Sequence, residues 1–451
     1  MRSVCKFLSR LSVPLPLLFF ASAILPAALM LQAGCGEQSE PESAPAGDQP
    51  AVDFGTPIDE TVTSPVTIDW WHFWTDPTIK PTIKAIVKDF ENENPNIKVN
   101  LTELTWANGH EKIVVALASG SGPDLLELGS DWIPEFVEAE RLTDLTANLS
   151  ATRDLFVSWE PVTSGGRLYG RPWILGTRVM FYNRDLLAKA GYGAEYIPFN
   201  LSQFEEAAYK IDSLGAEISG WGSNAAESHR LYKKFLPFFW SHNASFYSEN
   251  NEFGVVSSME GGAALKLYKE LHESCSMVET QRRLEDAFLE GKVGCVLSGD
   301  WLLKRIRNEK PEFNFATGLF PGKKVAGTSF LGGEYLVVNA ASKKKGAALR
   351  LLRFITSPES QLRFCKANFT PTPSSIECAK DSFFISDRHF MTFVKQLRLS
   401  KAPPFEPTWV YIEDEFEKAV ERTLFENIPP FESLHEARRR IQKISRGNGR
   451  R

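Results

Sequence analysis

The chain has 451 residues, 43% of them hydrophobic and 12% aromatic, and a formal net charge of −5 at pH 7. An apolar share of this size supports roughly two to three domains and excludes both a disordered chain and a small disulfide-stapled scaffold. The acidic balance argues against a protein that binds nucleic acid through general basicity, so no nucleic-acid partner is expected.

Residues 1–34 have the pattern of an export signal peptide. A basic start is followed by an uncharged stretch rich in Leu, Phe and Ala that ends in small residues. The end, Ala33-Gly34-Cys35, resembles a bacterial lipobox, in which the cysteine becomes lipidated after cleavage. Gln32 departs from the aliphatic residue usual there. The alternative is an uncleaved signal anchor, since the uncharged run is long enough to span a bilayer, although its prolines disfavour a membrane helix.

Residues 35–65 are predicted to form the lipidated cysteine and a flexible tether. The segment is rich in Glu, Pro, Ser, Ala and Gly and has too few large apolar groups to offset its ordering entropy. A lipid on Cys35 would hold the protein at the membrane of the cell envelope, facing the periplasm or the exterior. The body would then work at a membrane surface without crossing it.

No metal or other cofactor is expected from the sequence. There is no CxxC pair and no HExxH motif. Four cysteines remain in the body, at positions 275, 295, 365 and 378. They allow three disulfide pairings or free thiols, and the sequence does not choose among these.

Strands and helices alternate along the body. A strand is predicted over 66–71, and apolar residues at helical spacing follow from Ile79 to Phe90 until Pro95 ends the run. Further strands are predicted over 97–101 and 125–128. The connections are too long for hairpins, so this order indicates right-handed βαβ units and a mostly parallel sheet.

The same alternation recurs in the second half of the chain. Asn200 with Gln203 has the pattern of a helix N-terminal capping box, and strands are predicted over 293–297 and 335–338. The C-terminal quarter is predicted to be helical. No Pro/Gly-rich linker separates two such sheets, which predicts two α/β lobes in close contact with more than one chain crossing.

One local sequence occurs twice, as Gly129-Ser130-Asp131-Trp132 and as Ser298-Gly299-Asp300-Trp301. Each copy ends a predicted strand and opens a helix, where the aspartate is expected to cap the helix. In open α/β sheets, ligands bind beyond the carboxyl ends of the strands. The first strand reaches the same edge with the aromatic run 70–74.

Indole rings and carboxylates at strand ends suit a carbohydrate. An indole stacks on the apolar face of a sugar ring, while Asp, Glu and Arg hydrogen-bond its hydroxyls. The alternative for each single Asp-Trp pair is a helix cap with a tryptophan packed in the core. Three such sites at one edge favour the ligand interpretation.

Ordered motifs through most of the body resemble one family, the extracellular solute-binding proteins of family 1, which are sugar-binding lipoproteins of ABC transporters similar to maltose-binding protein. The resemblance runs from about residue 66 to 444. It departs from the family pattern at Gln32, at Arg171 and at 199–200. The segments that carry it are 71–74, 90–99, 118–120, 123–124, 169–173, 182–186, 190–191, 287–288, 291–293, 298–301, 330–334 and 407–409.

The resemblance implies the α/β fold of a type II periplasmic binding protein, with two lobes joined by a hinge of several crossings. Lobe 1 would comprise 66–176 plus 336–373, lobe 2 would comprise 177–335 plus 374–445, and 446–451 would form a basic tail. The crossings would fall near 175–182, 332–338 and 371–375. Small residues there suit segments that change their backbone angles as the lobes close over ligand.

The resemblance also implies a set of ligand-binding residues and no catalytic ones. Stacking is expected for Trp240, Trp301 and Trp409. Hydrogen bonds to hydroxyls are expected from Asp131, Arg178, Glu334 and the backbone amides of 332–333. The full set is Trp71, His72, Trp74, Asp131, Trp132, Trp173, Arg178, Trp240, Asp300, Trp301, Gly333, Glu334 and Trp409.

The predicted function is therefore that of a monomeric substrate-binding lipoprotein, which captures a carbohydrate, favoured to be an oligosaccharide, and delivers it to the permease of an ABC importer. One alternative is a glycerol-phosphate-type ligand, for which Arg171, Arg178 and His72 would supply positive charge. Another is a secreted glycosidase, which also needs aromatics and paired carboxylates. Against it, the alternation of predicted strands and helices along the chain does not extend to eight βα units. A purely structural surface lipoprotein is the third.

Overall fold

The computed structural model describes residues 56–227, 230–248, 250, 253–254 and 256–448. The predicted signal peptide, Cys35 and most of the predicted tether lie outside these residues. The strands are β1 (Val66–His72), β2 (Ile97–Glu103), β3 (Leu125–Gly129), β4 (Thr163–Ser164), β5 (Arg167–Leu168), β6 (Arg171–Thr177), β7 (Val179–Asn183), β8 (Ser219–Ser223), β9 (Ser276–Val278), β10 (Val293–Ser298), β11 (Phe315–Gly318), β12 (Ser329–Val338) and β13 (Ser400–Lys401). The helices are α1 (Lys80–Glu93), α2 (Gly109–Ala118), α3 (Ile133–Glu138), α4 (Thr146–Leu149), α5 (Arg184–Lys189), α6 (Leu201–Asp212), α7 (Leu231–Ser241), α8 (Met259–Cys275), α9 (Gln281–Leu289), α10 (Asp300–Glu309), α11 (Lys345–Ile355), α12 (Pro358–Asn368), α13 (Ser382–Ile385), α14 (Arg388–Leu397), α15 (Trp409–Phe425) and α16 (Pro430–Asn448).

Two sheets organise the molecule, and each has its own core. The first has the order β13-β12-β3-β1-β2, with β6 also paired to β12; the second has the order β11-β7-β10-β8-β9. We call the sheets with their packed helices the first and the second lobe. The strands from which a mostly parallel sheet is predicted are parallel, because β1 pairs in this direction with both β2 and β3. The prediction does not extend to the later strands: β12 pairs antiparallel with β3, and β7 with β10, so both sheets are mixed.

The regularly spaced apolar residues that predict the helices form the buried faces of those helices. Helix α1 turns Ile83, Val87 and Phe90 into the first core, and it ends just before Pro95, which cannot continue a helix. The predicted cap of α6 is present, because the Asn200 side chain accepts the backbone N–H of Gln203 at 2.9 Å. The aromatic-rich composition is used largely in the second core, where Phe and Trp side chains pack edge to face.

The first crossing between the lobes lies where it is predicted, and the second and third lie elsewhere. The first crossing lies at Thr177 and Arg178, between β6 and β7, inside the predicted segment. The second lies near Ser329, whose hydroxyl donates to the Arg178 carbonyl at 2.7 Å. The boundary predicted between 335 and 336 is therefore wrong, because it falls inside β12, whose pairing with β6 begins at Leu331.

The third crossing comes later than predicted. Residues 371–375 pair with β6 in the first lobe, where the Ser374 N–H donates to the Trp173 carbonyl at 3.1 Å. Phe384 still lies in the first core, whereas Phe390 packs with Phe181 of the second lobe. The chain thus returns to the second lobe between Phe384 and Phe390.

The described end of the predicted tether is docked on the first lobe. The Ile58 N–H donates to Asn148 Oδ1 at 2.9 Å, and Glu60 pairs with Arg353 at 3.0 Å. The prediction of a flexible segment up to residue 65 is wrong for these residues, because side-chain hydrogen bonds and an ion pair fix them. At the other end, α16 contains the first residues of the predicted basic tail.

Two further findings concern the chemistry of the chain. The four body cysteines, at 275, 295, 365 and 378, are buried free thiols. Among the described residues, no helix combines the length and the apolar character that crossing a membrane requires.

Candidate ligand-binding cleft

The carboxyl ends of β1, β2 and β3 meet at one edge of the first sheet, because these strands are parallel. Phe73 and Trp74 follow β1, and Asp131 with Trp132 follow β3. Glu334 on β12 lies opposite Gly129, the last residue of β3. The first lobe therefore presents aromatic and acidic side chains at this edge, as the strand-end rule predicts.

Asp131 reaches across to the second lobe and does not cap its own helix. The N-cap of α3 is Trp132, which makes no side-chain capping bond. The Asp131 carboxylate accepts from Lys233 Nζ at 2.9 Å and from the Tyr232 hydroxyl at 3.2 Å, both on α7. Burial alone would raise the pKa of Asp131, but the charge and hydrogen bond of Lys233 lower it below its ordinary value. A partly buried ion pair thus bridges the lobes.

The second Asp-Trp pair is held by its own lobe. Asp300 is the first residue of α10, whose N-cap makes no side-chain capping bond, and burial raises the pKa of its carboxyl. The Trp301 indole N–H donates to Glu285 Oε1 at 2.6 Å. The same oxygen accepts from Ser298 at 2.8 Å, and Arg305 pairs with the other Glu285 oxygen at 3.1 Å. This network fixes the orientation of the Trp301 ring.

Arg178 lies at the first crossing, with its guanidinium 4.5 Å from the centre of the Trp301 ring. Burial lowers the pKa of Arg178 to about 10, against the opposing charge of Asp300. The guanidinium therefore stays charged at neutral pH. In the described part of the chain no carboxylate forms an ion pair with it.

Glu334 connects the two Asp-Trp pairs electrostatically. Burial and the negative charge of Asp300 raise the pKa of Glu334 to about 8, and the charge of Arg178 opposes them. Asp131 adds a smaller raising effect. Neutral Glu334 has a proton to donate as well as an oxygen that accepts, which suits a ligand rich in hydroxyls.

A second bridge crosses between the lobes beside a cavity. Lys304 Nζ on α10 donates to Asp76 Oδ2 at 2.8 Å, to Thr78 at 3.1 Å and to Asn368 at 3.2 Å in the first lobe. The cavity has a volume of about 680 Å³, within the range of small-molecule sites. Its walls include Asp76, Thr78, Gln281, Glu285, Trp301 and Lys304.

Four predicted contact residues are buried, so the prediction of ligand contact is wrong for them in this conformation. His72 is 2% exposed, its Nδ1 accepts the Trp74 N–H at 3.3 Å, and burial lowers its pKa to about 4. Trp173 is packed in the first core against Trp70. Trp240 and Trp409 belong to the second core, and Trp409 lies behind Tyr232.

The remaining predicted residues are partly exposed. Trp71 lies against the first core, and Trp74 contacts Trp173 and Phe364 edge to face. The Gly333 carbonyl accepts the Ser130 N–H at 3.1 Å inside the sheet. Ligand contact at Trp71, Trp74, Trp132 and Gly333 stays a prediction, as it does for Asp131, Arg178, Asp300, Trp301 and Glu334.

Arg171, the other arginine considered for a charged ligand, is part of the first core. It is 4% exposed, its guanidinium lies 4.3 Å from the Phe156 ring centre, and it donates to Thr356. Its predicted role in binding phosphate is wrong, because the side chain packs away from the cleft.

Sequence reasoning missed several residues that build the site. Lys233 and Tyr232 open a helix with the pattern of a core helix, and nothing nearby in sequence marks their partner Asp131. Glu285 lies on an amphipathic helix, where a charge ordinarily indicates solvent. Lys304 could have been predicted to lie at the cleft, because it follows Asp300 by four residues and so lies on the same face of α10.

Two mixed α/β lobes, joined by three crossings and facing each other through charged and aromatic strand ends, define a two-lobed solute-binding protein. The chain belongs to the bacterial extracellular solute-binding protein family, whose model matches residues 75–362. The predicted family and the predicted type II binding-protein fold are thereby confirmed.

Known relatives and structures agree with this assignment. The galactooligosaccharide-binding protein of Bacillus subtilis is 26% identical over 387 residues, covering 81% of this chain and 86% of that protein. The sugar-binding protein MalE from Xanthomonas citri superimposes with a TM-score of 0.76 at 24% identity, covering 85% and 98% of the two chains. UgpB from Mycobacterium tuberculosis, in complex with glycerophosphocholine, gives a TM-score of 0.73 at 18% identity, covering 84% and 98%. The two structures are similar to this chain in fold.

Proposed function

We propose that this chain is the substrate-binding lipoprotein of an ABC importer, and that it binds an oligosaccharide between its lobes and presents it to a membrane permease. The observation that carries the proposal is the meeting of both Asp-Trp pairs at one cleft. Asp131 is bonded to the second lobe, Lys304 on the helix that Asp300 opens is bonded to the first, and the charges of both aspartates raise the pKa of Glu334.

The chemistry of the cleft supports a carbohydrate. Trp301 offers an indole whose orientation is fixed by Glu285, and rigid aromatic rings bind the apolar faces of sugars at low entropic cost. Arg178 and neutral Glu334 supply donors, and Asp300 supplies acceptors. The relative that binds a galactooligosaccharide supports an oligosaccharide over a single sugar.

The envelope location follows from the N-terminal sequence. We infer that residues 1–34 are removed as a signal peptide and that Cys35 carries the lipid. Ile58 and Glu60, near the end of the predicted tether, are docked on the first lobe. This arrangement suits a monomer that must reach a permease in the same membrane.

A glycerol phosphodiester is the second candidate ligand. Arg178 carries a buried positive charge that no carboxylate of the described residues neutralises through an ion pair, and a phosphate would do so. The fold neighbour with bound glycerophosphocholine supports this possibility. We propose no catalytic role in either case, because the family consists of solute-binding proteins.

The test is a ligand panel on the mature chain. Neutral malto-, galacto- and arabino-oligosaccharides and glycerophosphodiesters are added separately, and thermal unfolding is followed. A saccharide at 100 times its Kd should stabilise the fold by about 2.7 kcal/mol, with 1:1 stoichiometry by calorimetry. Stabilisation only by a phosphodiester would select the second ligand, and release of reducing ends would overturn the proposal of a binding protein.

A further inference from the structure

An exposed tryptophan outside the predicted site lies at the carboxyl edge of the first sheet. Trp106 follows β2 and is 43% exposed. Its loop reaches from the sheet edge over the neighbouring strand ends. The indole stacks on Phe73 with ring centres 4.1 Å apart and planes 20° apart, and it lies 5.2 Å from the Trp132 ring.

Two glycines make room for this stack. A Cβ on Gly109 would lie 2.3 Å from the Phe73 ring, and a Cβ on Gly129 would lie 3.3 Å from the Trp106 ring. Both distances are shorter than comfortable van der Waals contact. Phe73 stacks on one face of the Trp106 indole, and the side chain stays 43% exposed. The result is a supported aromatic platform.

The platform is continuous with the cleft. Gly129 and Trp132 flank Asp131, whose carboxylate bonds Lys233 of the second lobe. Behind Trp132, His110 Nε2 lies 2.8 Å from Glu135 Oε2. The Asp131 carboxylate lies beside the same Gly129 position as the Trp106 ring, so a group able to bond hydroxyls borders the exposed indole, which is the environment of a sugar ring rather than of a dry protein contact.

We propose that Trp106 forms a stacking subsite for an additional sugar ring of an oligosaccharide that extends out of the cleft past Asp131. This proposal rests on the proposed function. The Trp301 side would hold the rings inside the cleft, and Trp106 would hold a ring at its mouth. The ligand class is then an oligosaccharide long enough to reach both indoles. A disaccharide held inside the cleft would not use Trp106.

The experiment compares Trp106→Ala with the wild-type chain across malto- and galacto-oligosaccharides of two to five sugar units. Calorimetry should show that the variant weakens binding of the longest ligands about tenfold, an effect typical of aromatic stacking, and leaves the shortest unchanged. Trp106→Phe should retain most of the affinity. Phe199→Ala removes an aromatic side chain that is 54% exposed on the second lobe and serves as the matched control.

Each other outcome has a distinct meaning. Equal weakening of short and long ligands, or no weakening, overturns the subsite. So does intact binding combined with a loss of permease ATPase stimulation, which would assign Trp106 to a protein interface. If the wild-type chain binds none of the saccharides, the proposed function itself fails and the subsite with it. Thermal unfolding of the ligand-free variants checks that each is folded.

Discussion

The two Asp-Trp turns share their local sequence but use it in opposite ways. After β3, Asp131 leaves its helix uncapped and bonds Lys233 across the cleft. After β10, the Trp301 indole N–H donates to Glu285 within the same lobe. Local sequence therefore predicts the turn, and the partner supplied by the rest of the fold decides what each side chain does.

The difference lies in the neighbouring elements. Helix α9 places the buried Glu285 carboxylate beside Ser298, where it accepts the Trp301 indole N–H. Trp132 instead lies among Phe73, Trp106 and His110, and its ring packs against these aromatic side chains and the first core. The second lobe thus contributes a tryptophan fixed by hydrogen bonds, and the first contributes an aromatic layer and the cross-lobe ion pair.

The largest effect should come from Glu285→Ala, which disrupts only the second turn. Removing this carboxylate leaves the buried donors of Trp301, Ser298 and Gln281 without their acceptor, whereas Arg305 keeps its pairs with Asp286 and Glu309. Each buried donor left unsatisfied costs about 1–3 kcal/mol, so we expect a total loss of about 3–5 kcal/mol. Urea unfolding measures the loss, and ligand affinity should fall as well because Trp301 becomes free to rotate.

The matched control is Glu290→Ala, which removes an exposed partner of Lys292. Surface pairs contribute about 0–1 kcal/mol. A loss for Glu285→Ala as small as that of this control would show that the network does not hold the second turn.

The next largest effect is expected from alanine substitutions at the glycines of the two turns, Gly299 and Gly129. A Cβ on Gly299 would lie 2.0 Å from the Trp301 ring, whereas a Cβ on Gly129 would lie 2.9 Å from Asp131 Oδ1. Gly299→Ala should therefore cost about 1–3 kcal/mol through overpacking, and Gly129→Ala less, since the carboxylate is easier to displace than a ring fixed in place.

Thermal unfolding and calorimetry should rank Gly299→Ala as the more damaging for both stability and binding. Gly193→Ala is the control, because its Cβ would meet no atom within 4 Å. The reverse ranking would mean that the first turn, and not the second, is the rigid one.

A smaller effect is expected from the bridge of the first turn. Asp131→Asn removes the ion pair with Lys233, which forms only when the lobes approach each other. A lower population of the closed form reduces the apparent affinity in proportion, so we expect a loss of about tenfold, or about 1.4 kcal/mol. Fluorescence energy transfer between dyes on the two lobes should report less closure.

Lys233→Met provides the second arm of a double-mutant cycle. The losses of ligand affinity in Asp131→Asn and Lys233→Met should be strongly non-additive if both result from loss of the ion pair. Asp414→Asn, which breaks an exposed pair with Lys418, should leave affinity unchanged. Additive losses would instead mean that Asp131 contacts the ligand independently of the bridge.

Much of the fold could be predicted from the sequence, because buried faces appear in it as apolar residues at regular spacing. The helical spacing from Ile79 to Phe90 is the core face of α1, and the run 125–128 is the fully buried β3. Strand direction leaves no such record. Nothing in the residues of β12 shows that it pairs antiparallel with both β3 and β6.

The site was only partly accessible from the sequence. The strand-end rule located Asp131 and Asp300, because it depends on topology that the alternation itself reveals. It did not separate Trp301 from Trp409, since an indole in a cleft and one buried behind it have the same local pattern. Glu285 and Lys233 were missed because their partners are 16 and 102 residues away in the chain.

The smallest effect is the difference between the two aspartates in a pH dependence that acts through one carboxyl group. Burial and Asp300 raise the pKa of Glu334 to about 8 in the folded protein, against about 4.3 in an unfolded chain. The folded state therefore binds this proton more tightly. The stability that it contributes is fully present below about pH 4 and is lost as pH rises towards 8, with a slope of at most about 1.4 kcal/mol per pH unit.

Urea unfolding between pH 5 and 8 measures that slope, and Glu334→Gln should reduce it. Burial also raises the pKa of Glu127, and that of Glu413 to about 8, so each variant is measured with and without Glu334→Gln and the difference isolates the part of the slope due to Glu334. Asp300 raises the pKa of Glu334 more than Asp131 does. Asp300→Asn should therefore reduce this part of the slope more than Asp131→Asn. An equal reduction would place the two aspartates in equivalent positions around Glu334 and contradict the asymmetry of the two turns.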